Sequence, residues 1–237
     1  MNLVIDAGNT RIKWAIFDVK QQILKHGVNS HNEFLTFLEG LDGIENVVIS
    51  DVSGKIEIKK ISKYGKVVEL THALPVPISL DYETPETLGH DRIASAVGAH
   101  LLFPESNCLI IDAGTCITVD LITSSGVYQG GAIAPGIQMR LDAMHKFTGK
   151  LPQLTNSNTY NQLHGKSTKD CMLSGAITFS FIEIDAVIQR YTERYQTLRV
   201  ILTGGDTELL AKGLKSNTFA DLFLVEKGLN EILRFNL

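Results

Sequence analysis

The chain has 237 residues, of which 44% are hydrophobic and 20% are charged, a balance typical of a globular protein with one or two domains. Its net charge is −4, from 22 Lys and Arg against 26 Asp and Glu. This charge leaves no basic surplus to neutralise a phosphate backbone, so we expect no nucleic-acid partner. A small anionic ligand is still compatible with it, because backbone amides can bind phosphate locally.

The cysteines and the apolar runs predict a cytoplasmic protein. Cys108, Cys116 and Cys171 are odd in number and form no CxxC pair, which favours a reduced intracellular protein over a disulfide framework. Residues 1–5 lead directly into Asp6 without the apolar core of a signal peptide. No apolar run reaches the roughly 18–20 residues that span a membrane, so no membrane partner is expected.

The first half of the chain predicts short strands followed by a helix. Residues 3–5 are Leu-Val-Ile, and residues 12–16 carry large apolar side chains at every second position, as a strand does. Further strands are predicted over residues 23–28 and 47–50. Residues 91–102 have apolar side chains at helical spacing, which predicts a helix.

The second half begins with the same succession of strands. Residues 109–111 and 117–121 predict two strands, and a Thr-Ser-Ser-Gly turn joins the second to a third over residues 127–133. A further strand is predicted over residues 198–202.

Two helices are predicted in this half, over residues 136–147 and 168–195, the longer one with Thr168 as its N-cap. The polar residues 151–163 between them predict an exposed loop. Strands and helices mixed in this way indicate an α/β protein.

An eight-residue pattern occurs twice in the chain. "LVIDAGNT" spans residues 3–10 and "LIIDAGTC" spans residues 109–116, each between a buried strand and an alternating strand. Recurrence of a strand–DAG–strand–turn–strand unit indicates a duplicated domain. We therefore predict two domains, residues 1–105 and 106–237, with the boundary in a polar stretch.

The repeated loops contain the residue types of a phosphate clamp. Glycine lets the backbone approach a ligand closely, and the amides and the hydroxyls of Thr10 and Thr115 can donate to phosphate oxygens. Asp6 and Asp112 cannot bind phosphate directly, because like charges repel, but each can hold a cation that bridges to it. Lys13 adds a positive charge behind the first loop. One DAG sequence alone is more typical of a plain turn, and the duplication favours the ligand site.

The chain contains no complete Walker A, Rossmann or histidine metal-binding motif. Gly165-Lys166-Ser167-Thr168 matches the end of a Walker A loop, but Tyr160 stands where the first glycine belongs and no strand is predicted before it. No G-x-G-x-x-G follows a predicted strand, so a Rossmann dinucleotide site lacks support. The seven histidines show no close metal-binding spacing.

The duplicated loops resemble the actin-like ATPase superfamily, which includes sugar kinases and heat-shock chaperones. There, each of two duplicated domains contributes a phosphate hairpin, and a glycine-rich segment after a strand lies against the adenosine. The sequence LTGGD at residues 202–206 matches that segment. The resemblance implies an α/β fold of two duplicated actin-like (ribonuclease H-like) domains, each a mixed sheet flanked by helices, with ATP in the cleft between them.

Five ordered motifs narrow the resemblance to the type III pantothenate kinase family. They are DAGNT at residues 6–10, GHDR at 89–92, DAGT at 112–115, GGAIAPG at 130–136 and LTGGD at 202–206. The family implies ATP-dependent phosphorylation of pantothenate to 4'-phosphopantothenate, the first step of coenzyme A biosynthesis. Cys116 departs from the family, which more usually has a small residue such as alanine there, and its thiol would make the neighbouring site sensitive to thiol reagents.

The resemblance assigns the acceptor side of the reaction. Asp91 matches the catalytic base, which takes the proton from the primary hydroxyl of pantothenate as that oxygen attacks the γ-phosphorus of ATP. Arg92 offers a forked donor suited to the carboxylate of pantothenate. The expected substrate-binding residues are Tyr82, Gly89, His90, Asp91, Arg92 and Thr168.

The resemblance also assigns the nucleotide and the cations. Asp112 matches a ligand of a monovalent cation, K⁺ or NH₄⁺, and Asp6 is expected to serve Mg²⁺, directly or through water. Family members are homodimers with the site near the subunit interface, so a homodimer is expected. The expected ATP-binding residues are Asp6, Ala7, Gly8, Asn9, Thr10, Arg11, Ile12, Lys13 and Thr115.

Alternatives stay open for the individual residues and for the function. Asp91 also suits a helix N-terminus through the helix dipole, Arg92 suits a surface ion pair, and Tyr82 and Thr168 suit local structural roles. Asp206 is compatible with a plain loop or cap and is left out of the site. A kinase of the same fold for another small hydroxyl substrate and a non-catalytic ATP-binding regulator are the two rival functions.

Overall fold

The computed structural model describes residues 1–157 and 160–237. The strands are β1 (Asn2–Ala7), β2 (Ile12–Phe17), β3 (Ile23–Asn29), β4 (Asn46–Asp51), β5 (Lys66–Glu69), β6 (Ser79–Leu80), β7 (Asn107–Ala113), β8 (Cys116–Ile122), β9 (Val127–Pro135), β10 (Leu198–Thr203) and β11 (Phe219–Ala220). The helices are α1 (His31–Glu39), α2 (Ile58–Ile61), α3 (His90–Leu102), α4 (Ile137–Lys146), α5 (Thr168–Leu173), α6 (Phe179–Arg194), α7 (Thr207–Gly213) and α8 (Leu224–Phe235). The chain divides into two compact units: Met1–Leu102 with Phe223–Leu237, and Phe103–Leu222.

The first unit is built on a mixed sheet in the order β3-β2-β1-β4-β5. β1, β2 and β3 are antiparallel neighbours, whereas β4 runs parallel to β1 and β5 parallel to β4. The central strand β1 is an apolar run, and Leu3, Val4 and Ile5 are fully buried, as a strand covered on both faces requires. The edge strand β3 is largely exposed.

The second unit repeats this topology. Within it, strands of one mixed sheet follow the order β11-β10-β7-β8-β9. β7, β8 and β9 are antiparallel, and β10 and β11 continue the sheet in parallel from β7. Strands β7, β8, β9, β10 and β11 thus correspond to β1, β2, β3, β4 and β5, respectively. Both sheets are flanked by helices. The duplication predicted from the two DAG sequences is confirmed at the level of strand order.

Helix α8 belongs to the first unit, which differs from the predicted division at residue 105. A Cβ on Gly98 of α3 would overlap the carbonyl oxygen of Leu224, and a Cβ on Gly228 of α8 would overlap the carbonyl oxygen of Ala94. The two helices therefore cross with their backbones in contact, which only glycine permits. This close crossing returns the last residues of the chain to the first unit.

The predicted helix over residues 168–195 is interrupted. It consists of α5 and α6 with a π-helical turn at Ser174–Thr178 between them. The N-cap is Ser167, whose hydroxyl accepts from the amide of Asp170 at 3.1 Å, so the assignment of Thr168 as N-cap was wrong. Thr168 is instead the first helical residue.

The same segment corrects the expectation about apolar runs. The stretch Thr168–Arg194 is long and apolar enough to cross a membrane by length and composition, contrary to the sequence-based statement. In the structure 56% of its apolar window is buried, and Phe181, Ile184 and Ile188 pack into the core of the second unit. That burial is the behaviour of a core helix.

The loop predicted over residues 151–163 contains no helix or strand in its described part, residues 151–157 and 160–163. It is not uniformly exposed, because Leu151, Leu154 and Tyr160 pack against the core of the second unit.

Candidate active site

The first DAG loop is a four-residue connection with an open tip. β1 ends at Ala7 and β2 starts at Ile12. The amide of Gly8 donates to the carbonyl of Arg11 at 3.0 Å, which closes the turn, while the side chains at positions 9–11 are exposed. Such a turn can present backbone amides to an anion.

Two lysines lie beside this loop. The register of β1 and β2 places Lys13 directly opposite Asp6. Lys55, which no motif indicated, donates from Nζ to the carbonyl oxygen of Asn9 at 2.9 Å. Two positively charged side chains from distant parts of the sequence therefore lie beside the loop.

Asp51, at the end of β4, organises the turn that carries Lys55. Its carboxylate accepts from the amides of Ser53, Gly54 and Ile56 at 2.8, 3.0 and 3.0 Å. Burial raises the pKa of Asp51, but the hydrogen bonds outweigh this effect and hold the pKa below its ordinary value. The carboxylate thus stays charged and fixes the path of the chain past the loop.

The second DAG loop is a tight two-residue connection covered by backbone. The amide of Gly114 donates to the carbonyl of Cys116 at 2.9 Å, and the amide of Gly136 donates to the carbonyl of Thr115 at 3.1 Å. A Cβ on Gly136 would overlap the carbonyl oxygen of Gly114. The end of the GGAIAPG motif therefore packs directly on this loop.

The LTGGD motif packs on the same loop from another direction. Gly204 has φ of +92°, and a Cβ there would overlap the Oδ1 atom of Asp112 and lie 2.5 Å from the carbonyl oxygen of Ala113. That carbonyl accepts from the amide of Asp206 at 2.9 Å. Three motifs separated in sequence thus meet around Asp112 in the second unit.

The two copies of the repeat differ chemically. In the first, Lys13 stands opposite Asp6, whereas in the second the corresponding partner of Asp112 is Thr118. The first loop is also two residues longer. The first copy therefore offers an open, basic turn, whereas the Asp112 carboxylate of the second copy lies beside Gly204 of the LTGGD motif.

Asp206 has a defined polar environment. Its Oδ1 atom accepts from the Nδ2 of Asn156 at 3.1 Å, and the amide of Asn156 donates to the Oε1 of Gln138 at 2.8 Å. Burial raises the pKa of Asp206, and the hydrogen bond from Asn156 opposes this only in part. Gln138 and Thr115 also line a cavity of about 350 Å³ beside α4.

The GHDR motif forms the start of α3 in the first unit. The amide of Ile93 donates to the carbonyl of Gly89 at 3.2 Å, and the Oδ1 of Asp91 accepts from the amide of Arg92 at 2.9 Å. A Cβ on Gly89 would lie 2.5 Å from that Oδ1 atom. Asp91 is exposed, whereas Arg92 is only 7% exposed.

His90 is held beneath the surface at the head of α3. Both of its ring nitrogens are buried and without a hydrogen-bond partner among the described residues. Its ring lies against that of His72, with 4.6 Å between the centroids and 49° between the planes. Burial and the charge of His72 lower the pKa of His90, against the opposing effect of Asp91. The imidazole is therefore neutral at pH 7.

The remaining expected substrate residues lie apart in the chain. Tyr82 is partly buried in the segment before α3, and Thr168 is exposed on the first turn of α5 in the second unit. Among residues 1–157 and 160–237, no group of three or more His, Cys, Asp or Glu side chains could hold a metal ion.

Comparison with known proteins gives a consistent family. A family model described as type III pantothenate kinase matches residues 2–190. The type III pantothenate kinase of Christiangramia forsetii is 40% identical over 243 residues, covering 100% of this chain and 99% of that protein. The one from Bacteroides fragilis strain ATCC 25285 is 41% identical over 242 residues, covering 100% and 98%.

Solved structures share the fold at lower identity. A conserved Baf family transcriptional activator, so named, from Campylobacter jejuni has a TM-score of 0.64 at 21% identity, covering 99% of this chain and 98% of that one. The activator of 2-hydroxyisocaproyl-CoA dehydratase from Clostridium difficile, with bound ADPNP, has a TM-score of 0.55 at 14% identity, covering 99% and 96%. These two likenesses show the predicted actin-like fold alone.

Proposed function

The chain belongs to the type III pantothenate kinase family, which phosphorylates pantothenate with ATP in the first step of coenzyme A biosynthesis, and we propose that Asp91 is its general base. The observation that carries this proposal is the position of the Asp91 carboxylate, exposed at the head of α3 and directly against Gly89. An exposed carboxylate can come within hydrogen-bond reach of a substrate hydroxyl, which general-base catalysis requires.

In the proposed step, Asp91 takes the proton of the primary hydroxyl of pantothenate while that oxygen attacks the γ-phosphorus of ATP and ADP leaves. Phosphoryl transfer depends mainly on positioning and charge neutralisation. The contact of Gly89 with the carboxylate and the amide of Arg92 on Oδ1 restrict where the base can point.

The neighbours of Asp91 are proposed to hold the acceptor. The buried ring nitrogens of His90 have no partner among the described residues, and leaving such atoms unsatisfied costs on the order of 1–3 kcal/mol. We propose that His90 is one of the residues that contact pantothenate, and a polar group of the substrate would relieve that cost once the ring nitrogens are exposed to it. Gly89, Arg92, Tyr82 and Thr168 are proposed to complete the substrate contacts.

The open first loop is proposed to bind the phosphates of ATP. Its exposed tip and the flanking Lys13 and Lys55 provide donors and positive charge, in keeping with the expected ATP-binding residues 6–13. Thr115 of the second loop is proposed as a further ATP contact, since it lines a cavity at its own unit's surface.

The donor sets fit the cations that the family implies. Mg²⁺ is usually held by one or two carboxylates together with substrate phosphates, and Asp6 supplies one carboxylate at the phosphate loop. At Asp112 the carboxylate and the carbonyl oxygen of Ala113 both lie next to Gly204, and oxygen donors of this kind suit K⁺ or NH₄⁺. Bound there, these ions would neutralise charge on the phosphates and the loop.

A homodimer is proposed from the apolar surface of α6. Phe179 and Ile182 are 54% and 52% exposed, and their spacing of three places them on one side of the helix. Size-exclusion chromatography with light scattering should give twice the mass of 26.0 kDa, and a monomeric mass at micromolar concentration would refute the dimer. A cytoplasmic location is proposed from the biosynthetic role.

Coupled ADP release tests the proposed function. We expect ADP from ATP only when pantothenate is present, with activity lost when Mg²⁺ is omitted and reduced when K⁺ and NH₄⁺ are replaced by Na⁺. Equal ADP release with and without pantothenate would refute the substrate. Nucleotide binding without pantothenate-dependent turnover would favour the non-catalytic regulator, and turnover with a different small alcohol alone would favour the rival kinase.

A further inference from the structure

His72 lies outside every motif, in the segment between β5 and β6, yet it contacts both Leu88, which precedes the GHDR motif, and His90 within it. Its Nε2 atom is 3.0 Å from the carbonyl oxygen of Leu88. A carbonyl oxygen only accepts, so this nitrogen carries the hydrogen. Its ring also packs against the ring of His90.

The bond from His72 bears on the position of Asp91. Leu88 is 1% exposed and immediately precedes Gly89, whose carbonyl starts the hydrogen bonding of α3. The Asp91 carboxylate lies against the Cα of Gly89. The backbone that leads into the carboxylate is therefore held by the burial of the Leu88 side chain and by the hydrogen bond from His72 to the Leu88 carbonyl.

The ring contact bears on His90. With 4.6 Å between centroids, the His72 imidazole restricts the rotation of a ring whose nitrogens have no other partner among the described residues. A side chain without hydrogen bonds depends on packing for its orientation. His72 thus restrains His90, which precedes Asp91, and also the backbone that leads to Asp91.

We propose that His72 is a positioning residue of the kinase: its Nε2–H bond to Leu88 and its contact with His90 set the GHDR segment for the acceptor substrate. This inference rests on the proposed role of Asp91. His72 is proposed to act through its neighbours, without contacting the reacting atoms.

Two variants separate the hydrogen bond from the packing. His72→Gln keeps an N–H donor of similar reach, whereas His72→Phe keeps a ring beside His90 and loses the donor. A matched control is His145→Phe, because exposed His145 also bonds a backbone carbonyl, that of Leu151 at 2.8 Å, in the second unit. Each variant is compared with the wild type in kcat, in KM for ATP and pantothenate, and in melting temperature.

We expect His72→Phe to lower kcat about fivefold, the size of effect that one hydrogen bond can have, with KM for ATP unchanged and the melting temperature lowered by only about 2–4 °C. His72→Gln should recover at least half of the wild-type kcat, and His145→Phe should match the wild type. A wild-type kcat in His72→Phe, or an equal loss in His72→Gln, would overturn the proposal.

Hydrogen exchange gives a readout that does not depend on turnover. In His72→Phe the peptide covering residues 84–95 should exchange faster than in the wild type, and in His72→Gln it should not. Unchanged exchange in His72→Phe would overturn the positioning role. Absence of pantothenate-dependent ADP release by the wild type would instead refute the proposed function, and exchange would still decide whether His72 holds this segment.

Discussion

Replacement of Gly89 by alanine tests whether the placement of the Asp91 carboxylate controls turnover. The new Cβ would lie 2.5 Å from Oδ1 of Asp91, and ordinary contact begins at 3.4 Å, so the carboxylate must move by about 0.9 Å. The obstructed atom ends a flexible side chain, so we expect the fold to tolerate the change. A misplacement of about 1 Å can cost on the order of 100-fold in rate, and we expect kcat to fall by roughly 30- to 100-fold.

The assay is pantothenate-dependent ADP release, with KM for ATP and the melting temperature measured in parallel. The control is Gly40→Ala at the end of α1, where the nearest atom to a new Cβ is the carbonyl oxygen of Phe37 at 3.8 Å, so kcat should stay at the wild-type level. A wild-type kcat in Gly89→Ala would refute the reasoning that the carboxylate must keep its present place.

Three further predictions concern charge, thiols and backbone. Because the pKa of His90 is lowered in the folded protein from 6.5, the unfolded chain binds more protons just below that pH, so stability should fall as pH drops from 7 to 5. In thermal melting between pH 7 and 5, His90→Gln should lose less stability than the wild type. An equal loss in both proteins would contradict the lowered pKa of His90. A maleimide should label exposed Cys171 within minutes and leave Cys108 unlabelled in the native state. Cys108 is buried, and burial raises the pKa of its thiol to about 11. Mass spectrometry measures the labelling, and equal rates for the two cysteines would contradict this prediction. Gly204→Ala should lower the free energy of unfolding by about 2 kcal/mol, because alanine is strained at positive φ and its Cβ would overlap the Asp112 carboxylate. Urea unfolding measures this loss, and a value below about 0.5 kcal/mol would contradict the prediction.

The duplicated fold could be predicted because its signal is local. Each DAG sequence follows a buried apolar strand and precedes an alternating one, and both features depend only on neighbouring residues. Helix α1 carries a local signal of the same kind, because Ser30 and Glu33 form a capping box and the S-x-x-E spacing is visible in the sequence.

Neither the place of α8 in the first unit nor the position of Lys55 beside the first DAG loop could be predicted in this way. The place of α8 depends on the backbone contact of Gly98 with Gly228, which joins residues far apart in the chain. Lys55 and His72 likewise reach the candidate site through single hydrogen bonds to the carbonyls of Asn9 and Leu88. Only folding brings such partners together, so no short-range pattern indicates them.

The asymmetry of the two DAG loops also became visible only in the structure. The sequence shows Lys13 three residues after Thr10, but the register shows that it faces Asp6, while Thr118 faces Asp112. That difference supports separate roles for the two copies, with phosphates proposed at the first and a monovalent cation at the second.

Turnover by Asp91→Asn tests the central claim most directly. Asparagine keeps the size of the side chain and its oxygen near the amide of Arg92, but it cannot accept the hydroxyl proton as a carboxylate does. We predict that the variant retains the melting temperature and the ATP affinity of the wild type and loses pantothenate-dependent ADP release by 100-fold or more, at the lower end of the about 10²–10⁴-fold contribution of general bases. Undiminished turnover in Asp91→Asn would contradict the account.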